Sequence, residues 1–179
     1  MIYRYLLPNI AEKLGARQYH LLGEKLLSLA LYEEKGIVYE REDIVKNQWG
    51  KPRLKKHLHI HYNITHSNNL LMCAIADVDV GIDVEKIREF NYCAALKVCS
   101  GDELYCINNG ADKDRAFFKY WTLKESYVKA IGTGISYSMK EVNFIIESNE
   151  KIYCNKSNCS FRIIEDSKDY IAAICLINY

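Results

Sequence analysis

Two long helical segments, each standing between strand-like runs, constrain the fold of this chain more than any other feature. Over residues 10–34, Ile10, Leu14, Leu21, Leu22, Leu26, Leu29 and Ala30 fall on one apolar stripe at helical spacing, and Gly36 stops the segment. A second long helix is expected over 112–131, ended by Gly132 and Gly134. Residues 2–7 alternate as a first strand, which Pro8 ends. Residues 60–65 and 70–76 read as strands joined by the turn Ser67-Asn68-Asn69, and 80–85 as a third. Residues 92–108 read as helical with Gly101 as a candidate break, and 141–147, 159–165 and 170–178 as three further strands. The order is strand, helix, strands, then strand, helices, strands. It predicts an α+β (α/β-like) fold of two pseudo-symmetric halves, about 1–78 and 79–179, within a single domain. Each half is expected to be a small, mainly antiparallel sheet packed with a long helix. No sequence repeat accompanies this duplication, which rests on element order alone.

Composition narrows the function classes. Of 179 residues, 49% are hydrophobic and 26% charged, enough for a real core. A net charge of +1 argues against general nucleic-acid binding, which needs a basic excess. No apolar run reaches the length of a membrane span, and the first twenty residues do not read as a signal peptide. Cys73, Cys93, Cys99, Cys106, Cys154, Cys159 and Cys175 form no CxxC pair and are odd in number. They read as reduced thiols of a cytoplasmic protein, each a small buried apolar residue.

The polar residues carry the chemistry. Asp83 and Glu85 are two apart in a strand, so both carboxylates share one face while Val80, Ile82 and Val84 face the core. Like charges on one face repel, and a divalent cation would remove that cost. A solvated strand face is the plainer alternative. The spacing of Asp77, Asp79, Asp83 and Glu85 does not match a calcium loop. In WTLKESYVKAIGTG at 121–134, Trp121, Glu125 and Lys129 lie on one helical face, with Leu123 and Val128 turned towards the core. Glu125 could be a third metal carboxylate and Lys129 could reach a phosphate as a point charge. A surface Glu–Lys pair is the bland alternative. Lys124 sits about 100° round from Glu125, towards another partner or solvent. Thr65 and His66, at a strand end, could grip phosphate oxygens. His57, His59 and His61 alternate and could mimic a zinc site, but have no nearby cysteine or spaced acidic partner. Gly50-Lys51-Pro52 reads as a stiff turn carrying one lysine.

Taken together, GKP at 50–52, THS at 65–67, GIDVE at 81–85 and WTLKESYVKAIGTG at 121–134 resemble the 4′-phosphopantetheinyl transferases, of the type that activates peptide and polyketide synthases. The resemblance covers roughly residues 17–135 well and the ends loosely. It implies an active site between the two halves, with coenzyme A (CoA) as co-substrate. It implies Mg²⁺, with Mn²⁺ as an alternative, held by Asp83, Glu85 and Glu125, and Lys129 and Thr65 on the pyrophosphate. His66 would lie near the 3′-phosphate, and Lys51 with Pro52 around the adenine. Asp83, Glu125 and Lys129 would be the catalytic set. The partner would be an apo acyl or peptidyl carrier protein, docked by the segment 86–108 with Tyr92, Leu96 and Val98 as candidates. Those three apolar residues fit the core equally well. The chain departs from the family pattern at Thr65, where serine is usual, and before Gly23, where relatives carry basic residues for the 3′-phosphate. Arg17 and Lys13 are the substitutes in this chain. A monomer is expected, since two halves in one chain supply the interface. Two rivals stand beside this reading: a non-catalytic module that binds CoA or carrier protein, and a Mg²⁺-dependent pyrophosphohydrolase.

Overall fold

The computed structural model describes residues 1–7, 14–164 and 167–178, so the expectations for Pro8, Ile10 and Lys13 lie outside the described residues. Strand β1 (Ile2–Leu6) leads to helix α1 (Ala16–Lys35) and a short hairpin of β2 (Ile44–Lys46) and β3 (Pro52–Leu54). Strands β4 (His61–Ser67) and β5 (Leu70–Ala76) follow, meeting at Asn68 in the left-handed region (φ 49). The second set begins with β6 (Asp79–Lys86), then helices α2 (Tyr92–Val98), α3 (Gly101–Asn109) and α4 (Lys113–Ile131). A hairpin of β7 (Phe144–Ile146) and β8 (Ile152–Cys154) precedes β9 (Cys159–Ile164) and β10 (Tyr170–Ile177).

The main sheets are antiparallel with the orders β1-β5-β4 and β6-β10-β9. Strand for strand the two orders are the same, with α1 matching α4 and hairpin β2–β3 matching β7–β8. The pseudo-symmetry expected from element order is therefore present in the topology. The sheets face each other through Leu70, Met72 and Ala74 of β5, Val80, Ile82 and Val84 of β6, and Tyr170, Ala172 and Ile174 of β10. Each sheet buries its other face under its own helix. Leu26, Leu27, Ala30 and Leu31 of α1 pack with Leu71 and Cys73, and Phe117, Tyr120, Leu123 and Tyr127 of α4 pack with Ile171 and Ala173.

Several local expectations change. Helix α1 ends at Gly36 as expected, in the left-handed conformation that glycine adopts without strain, but it starts at Ala16. Its buried set is Gly23, Leu26, Leu27, Ala30 and Leu31, while Leu21 and Leu29 are exposed. The sequence stripe was wider than the face that meets the sheet. The 92–108 helix is two helices, parted not by Gly101 but by Ser100, whose hydroxyl caps the Glu103 amide while Glu103 returns to the Ser100 amide. The 141–147 strand shortens to Phe144–Ile146 behind a 3-10 turn at Met139–Glu141. Strands β2, β3 and β8, three residues each, carried too little alternation to be read in advance.

Two packing features fix α4, the helix that carries WTLKESYVKA. Strand β6 approaches the helix backbone at Gly81, where a methyl group would lie 2.0 Å from the Ser126 carbonyl oxygen and 2.4 Å from the Ala130 nitrogen. Lys124, which the sequence left towards another partner or solvent, is fully buried and paired at 2.9 Å with the equally buried Glu103 of α3. Its ammonium also donates to the carbonyls of Met139 and Val142, and Glu103 accepts from the Phe144 amide. One buried ion pair thus ties α3, α4 and the entry to β7.

Two predictions follow from this packing. Lys124→Met should cost about 3–5 kcal/mol, because it strands a buried carboxylate, and adding Glu103→Leu should recover part of that loss. Urea unfolding of both variants checks the order. Gly81→Ala should lower stability by about 1–3 kcal/mol, as overpacking forces α4 off β6. Thermal unfolding with no shift in midpoint would contradict that close approach.

Candidate functional site

The site grows from one strand. Successive side chains of β4 alternate, so His61, Asn63, Thr65 and Ser67 share a face, and that face meets β6 of the other half. His61 Nδ1 lies 2.9 Å from Asp79 Oδ1. Asn63 Oδ1 accepts the Ile82 amide at 2.9 Å. Thr65 Oγ1 donates to Asp83 Oδ1 at 3.3 Å. Ser67 Oγ accepts the Lys86 amide at 3.0 Å and donates to Glu85 Oε2 at 3.3 Å. The two halves are laced by polar side chains rather than by a continuous backbone ladder. Asn63 was not singled out in the sequence, and Ser67, read there as a turn residue, is the last residue of β4; the signal for both is the run of polar residues at every second position.

Helix α4 lies against this seam. Lys129 Nζ stands 2.5 Å from Asp83 Oδ1 and donates to Thr65 Oγ1 at 3.2 Å. Asp83 is buried, and its second oxygen, Oδ2, has no hydrogen-bond partner. Burial pushes the Asp83 carboxyl above its usual range, with Lys129 opposing and Glu85 adding to the rise. Burial also raises Glu125, the Asp83 charge adds to the rise, Lys129 opposes it and Glu85 adds a little more. Glu85 leans outwards to Arg88 Nη1 at 2.9 Å.

Asp83 and Glu125 thus share the field of the Lys129 ammonium, with Glu85 beside them on Arg88. Among the described residues no group of three or more His, Cys, Asp or Glu side chains is gathered closely enough to hold a metal ion. Asp83, Glu85 and Glu125 are neighbours without forming a closed ligand set, and the Lys129 ammonium sits on Asp83. The residues nonetheless fit a hard divalent cation. They offer carboxylate oxygens, one of them buried and unpartnered, in a place where negative charge is already costly.

Two cavities adjoin across the seam, sharing Gly50, Pro52 and Asn63 in their walls. One, of about 530 Å³, is bounded by Trp49, Trp121, Glu125, Lys129 and Tyr137. The other, of about 600 Å³, is bounded by Tyr19, His20, Arg41, Lys46 and His66. His66 and Thr65, adjacent in β4, point to opposite sides of the strand, so they do not grip one group together. The His66 ring stacks on Tyr19 at 4.3 Å and 7°, and burial lowers its pKa, aided by the charge of Lys129. Arg17 is exposed on the first turn of α1 and lines neither cavity. The basic residues in the wall of the larger cavity are His20, Arg41 and Lys46, with Arg41 already bidentate on Glu24 at 3.1 Å. Lys51 belongs to the wall of the smaller cavity but is buried, its ammonium bonded to the Val80 and Ala130 carbonyls, while Pro52 lines both cavities.

The remaining candidates divide. Tyr92 and Leu96 are exposed on α2, whereas Val98 packs against the core. His57 and His59 meet in a T-shaped arrangement at 6.2 Å, and His61 belongs to Asp79. No helix among the described residues is long and apolar enough to cross a membrane.

Known proteins carry the same pattern. A model of the 4′-phosphopantetheinyl transferase superfamily matches residues 79–175, from the start of β6 into β10. The 4′-phosphopantetheinyl transferase gsp of Aneurinibacillus migulanus is 36% identical over 132 residues, 73% of this chain and 54% of the relative. The 4′-phosphopantetheinyl transferase Sfp of Bacillus subtilis (strain 168) is 26% identical over 187 residues, 96% of this chain and 82% of the relative. The chain therefore spans about half the length of the first of these relatives. A crystal structure of holo-[acyl-carrier-protein] synthase (AcpS) from Neisseria meningitidis shares the fold with a TM-score of 0.50 at 18% identity, over 56% of this chain and 98% of that one. With its second half matched by the family model and its motifs drawn together at the junction of two like halves, this chain belongs to the 4′-phosphopantetheinyl transferase superfamily.

Proposed function

We propose that the chain, acting as one domain of two halves meeting near residues 78 and 79, moves 4′-phosphopantetheine from CoA to a serine hydroxyl of an apo acyl or peptidyl carrier protein. The observation that carries this reading is the pairing of buried Asp83 with Lys129 and Thr65, at the mouth of a cleft that crosses both halves. The serine oxygen attacks the phosphorus bearing the pantetheine arm, the P–O bond to the nucleotide breaks, and 3′,5′-ADP leaves. Transfers of this class depend on positioning and on neutralising charge. Lys129 supplies positive charge where the leaving group gains negative charge, and Thr65 orients that ammonium. Glu125, its carboxyl raised by burial and by Asp83, is suited to accept the serine proton. Asp83, Glu85 and Glu125 would hold Mg²⁺ or Mn²⁺, which when bound neutralises pyrophosphate charge. His66, stacked on Tyr19, and the backbone and ring of Gly50 to Pro52 take the nucleotide end of CoA, with Arg41 and Lys46 within the same wall. Tyr92 and Leu96 offer an exposed apolar contact for the carrier protein. The free cysteines agree with a cytoplasmic enzyme, and the two halves with a monomer.

The test is to incubate the protein with CoA, Mg²⁺ and a panel of apo carrier proteins and weigh each carrier intact. One phosphopantetheine gained on any of them is expected. CoA binding without any gain would instead favour a regulatory module. Asp83→Ala and Glu125→Gln should each lower turnover about a hundredfold or more in that assay, since each removes a carboxylate that would hold the cation, and Glu125 also the proton acceptor. Near-normal turnover in Asp83→Ala would contradict the assignment.

A further inference from the structure

Lys51 lines the smaller cavity with its loop, yet its ammonium is bonded within the protein. Only 8% of it is exposed, and its ammonium is spent on three partners in the other half. It donates to the Ala130 carbonyl at 2.5 Å, to the Val80 carbonyl at 3.3 Å and to Asp79 Oδ1 at 3.3 Å. Ala130 stands in the last turn of α4, where backbone carbonyls have no partner within the helix. A cation there both satisfies the carbonyl and meets the negative end of the helix dipole.

The loop around Lys51 is built to present it. Asn47 Oδ1 accepts the Trp49 and Lys51 amides at 2.9 and 2.8 Å, and Asn47 Nδ2 donates to the Gly132 carbonyl at 3.1 Å. Gly132, left-handed at φ 70, lets the lysine stem pass: a methyl there would lie 2.6 Å from Lys51 Cδ. Asp79, the remaining acceptor, also holds Arg53 at 3.0 Å and His61 at 2.9 Å. Burial alone would raise its carboxyl, but Lys51, His61 and Arg53 together hold it below its usual range.

We propose that Lys51 is a positioning residue. With Asn47 it clamps the loop 47–52, which carries Trp49 and Pro52 into the cleft walls, onto the C-terminal end of α4 and the start of β6. The helix it grips is the one that carries Glu125 and Lys129. The clamp therefore fixes the spacing between the wall given by the first half and the charged groups given by the second. The clamp itself is independent of what the cleft binds; its effect on CoA rests on the function proposed above.

Hydrogen exchange and ligand binding together test it. Lys51→Met keeps the stem and removes the donors, and Asp79 retains Arg53 and His61. Without ligand, the variant should exchange about tenfold faster at 47–51 and at 130–132, and unchanged in α1 and β5. Asn47→Ala, which removes the bond to Gly132 and leaves the ammonium, should raise exchange in the same two segments, and it carries the test alone if Lys51→Met does not fold. Unchanged exchange there overturns the clamp. By calorimetry, Lys51→Met should weaken CoA and 3′-dephospho-CoA by the same factor, about tenfold. Loss confined to CoA would mean that the lysine touches the 3′-phosphate and would overturn the proposal. If the unaltered protein binds neither ligand, the functional reading fails, and the exchange result still decides the clamp.

Discussion

Everything in the site depends on the polar seam between β4 and β6. Two sheets that face each other through apolar side chains could slide, because hydrophobic contact is not directional. His61, Asn63, Thr65 and Ser67 remove that freedom by bonding, at every second position, to Asp79, the Ile82 amide, Asp83, Glu85 and the Lys86 amide. Register across the halves is thereby set, and with it the distance from the first half's strand to the second half's carboxylates. Gly81 sets the other dimension, letting α4 descend until Lys129 reaches Asp83.

The seam also explains the electrostatics. Asp83 is buried because it lies between β4 and α4, not because it is part of an apolar core. Burial raises its carboxyl, and Glu125 shares with it the field of the Lys129 ammonium, while Glu85 pairs with Arg88. Such an arrangement is costly in the protein alone and becomes favourable when further positive charge arrives. Lys51 and Lys124 stand in contrast. Both belong to the sequence motifs, and both are enclosed by carbonyls and a carboxylate. Lys129 differs from both: its ammonium meets the side chains of Asp83 and Thr65, and it lines the cleft.

The large elements were legible because their patterns are long. The α4 helix, the β6 strand with Val80, Ile82 and Val84 inward, and the two-half order all rest on periodicity that survives in a single sequence. What was hidden depends on contacts distant in the chain. Lys124 meets Glu103 and Lys51 meets Ala130, and neither pairing leaves a spacing rule. The opposite facing of Thr65 and His66 follows from strand alternation because β4 runs on to Ser67, beyond the expected end at 65. The three-residue strands of the hairpins are fixed by the loops that join them and by what they dock against, so they carry no pattern of their own.

The proposed transfer requires that Asp83 of β6 and Glu125 of α4 help to hold a divalent cation beside Lys129. Electron paramagnetic resonance of Mn²⁺, titrated into the protein with CoA present, tests it most directly. The account predicts about one Mn²⁺ withdrawn from the aqueous signal per chain, and loss of that binding in Asp83→Asn with CoA binding still measurable. Equal Mn²⁺ binding by Asp83→Asn and the unaltered protein would contradict it.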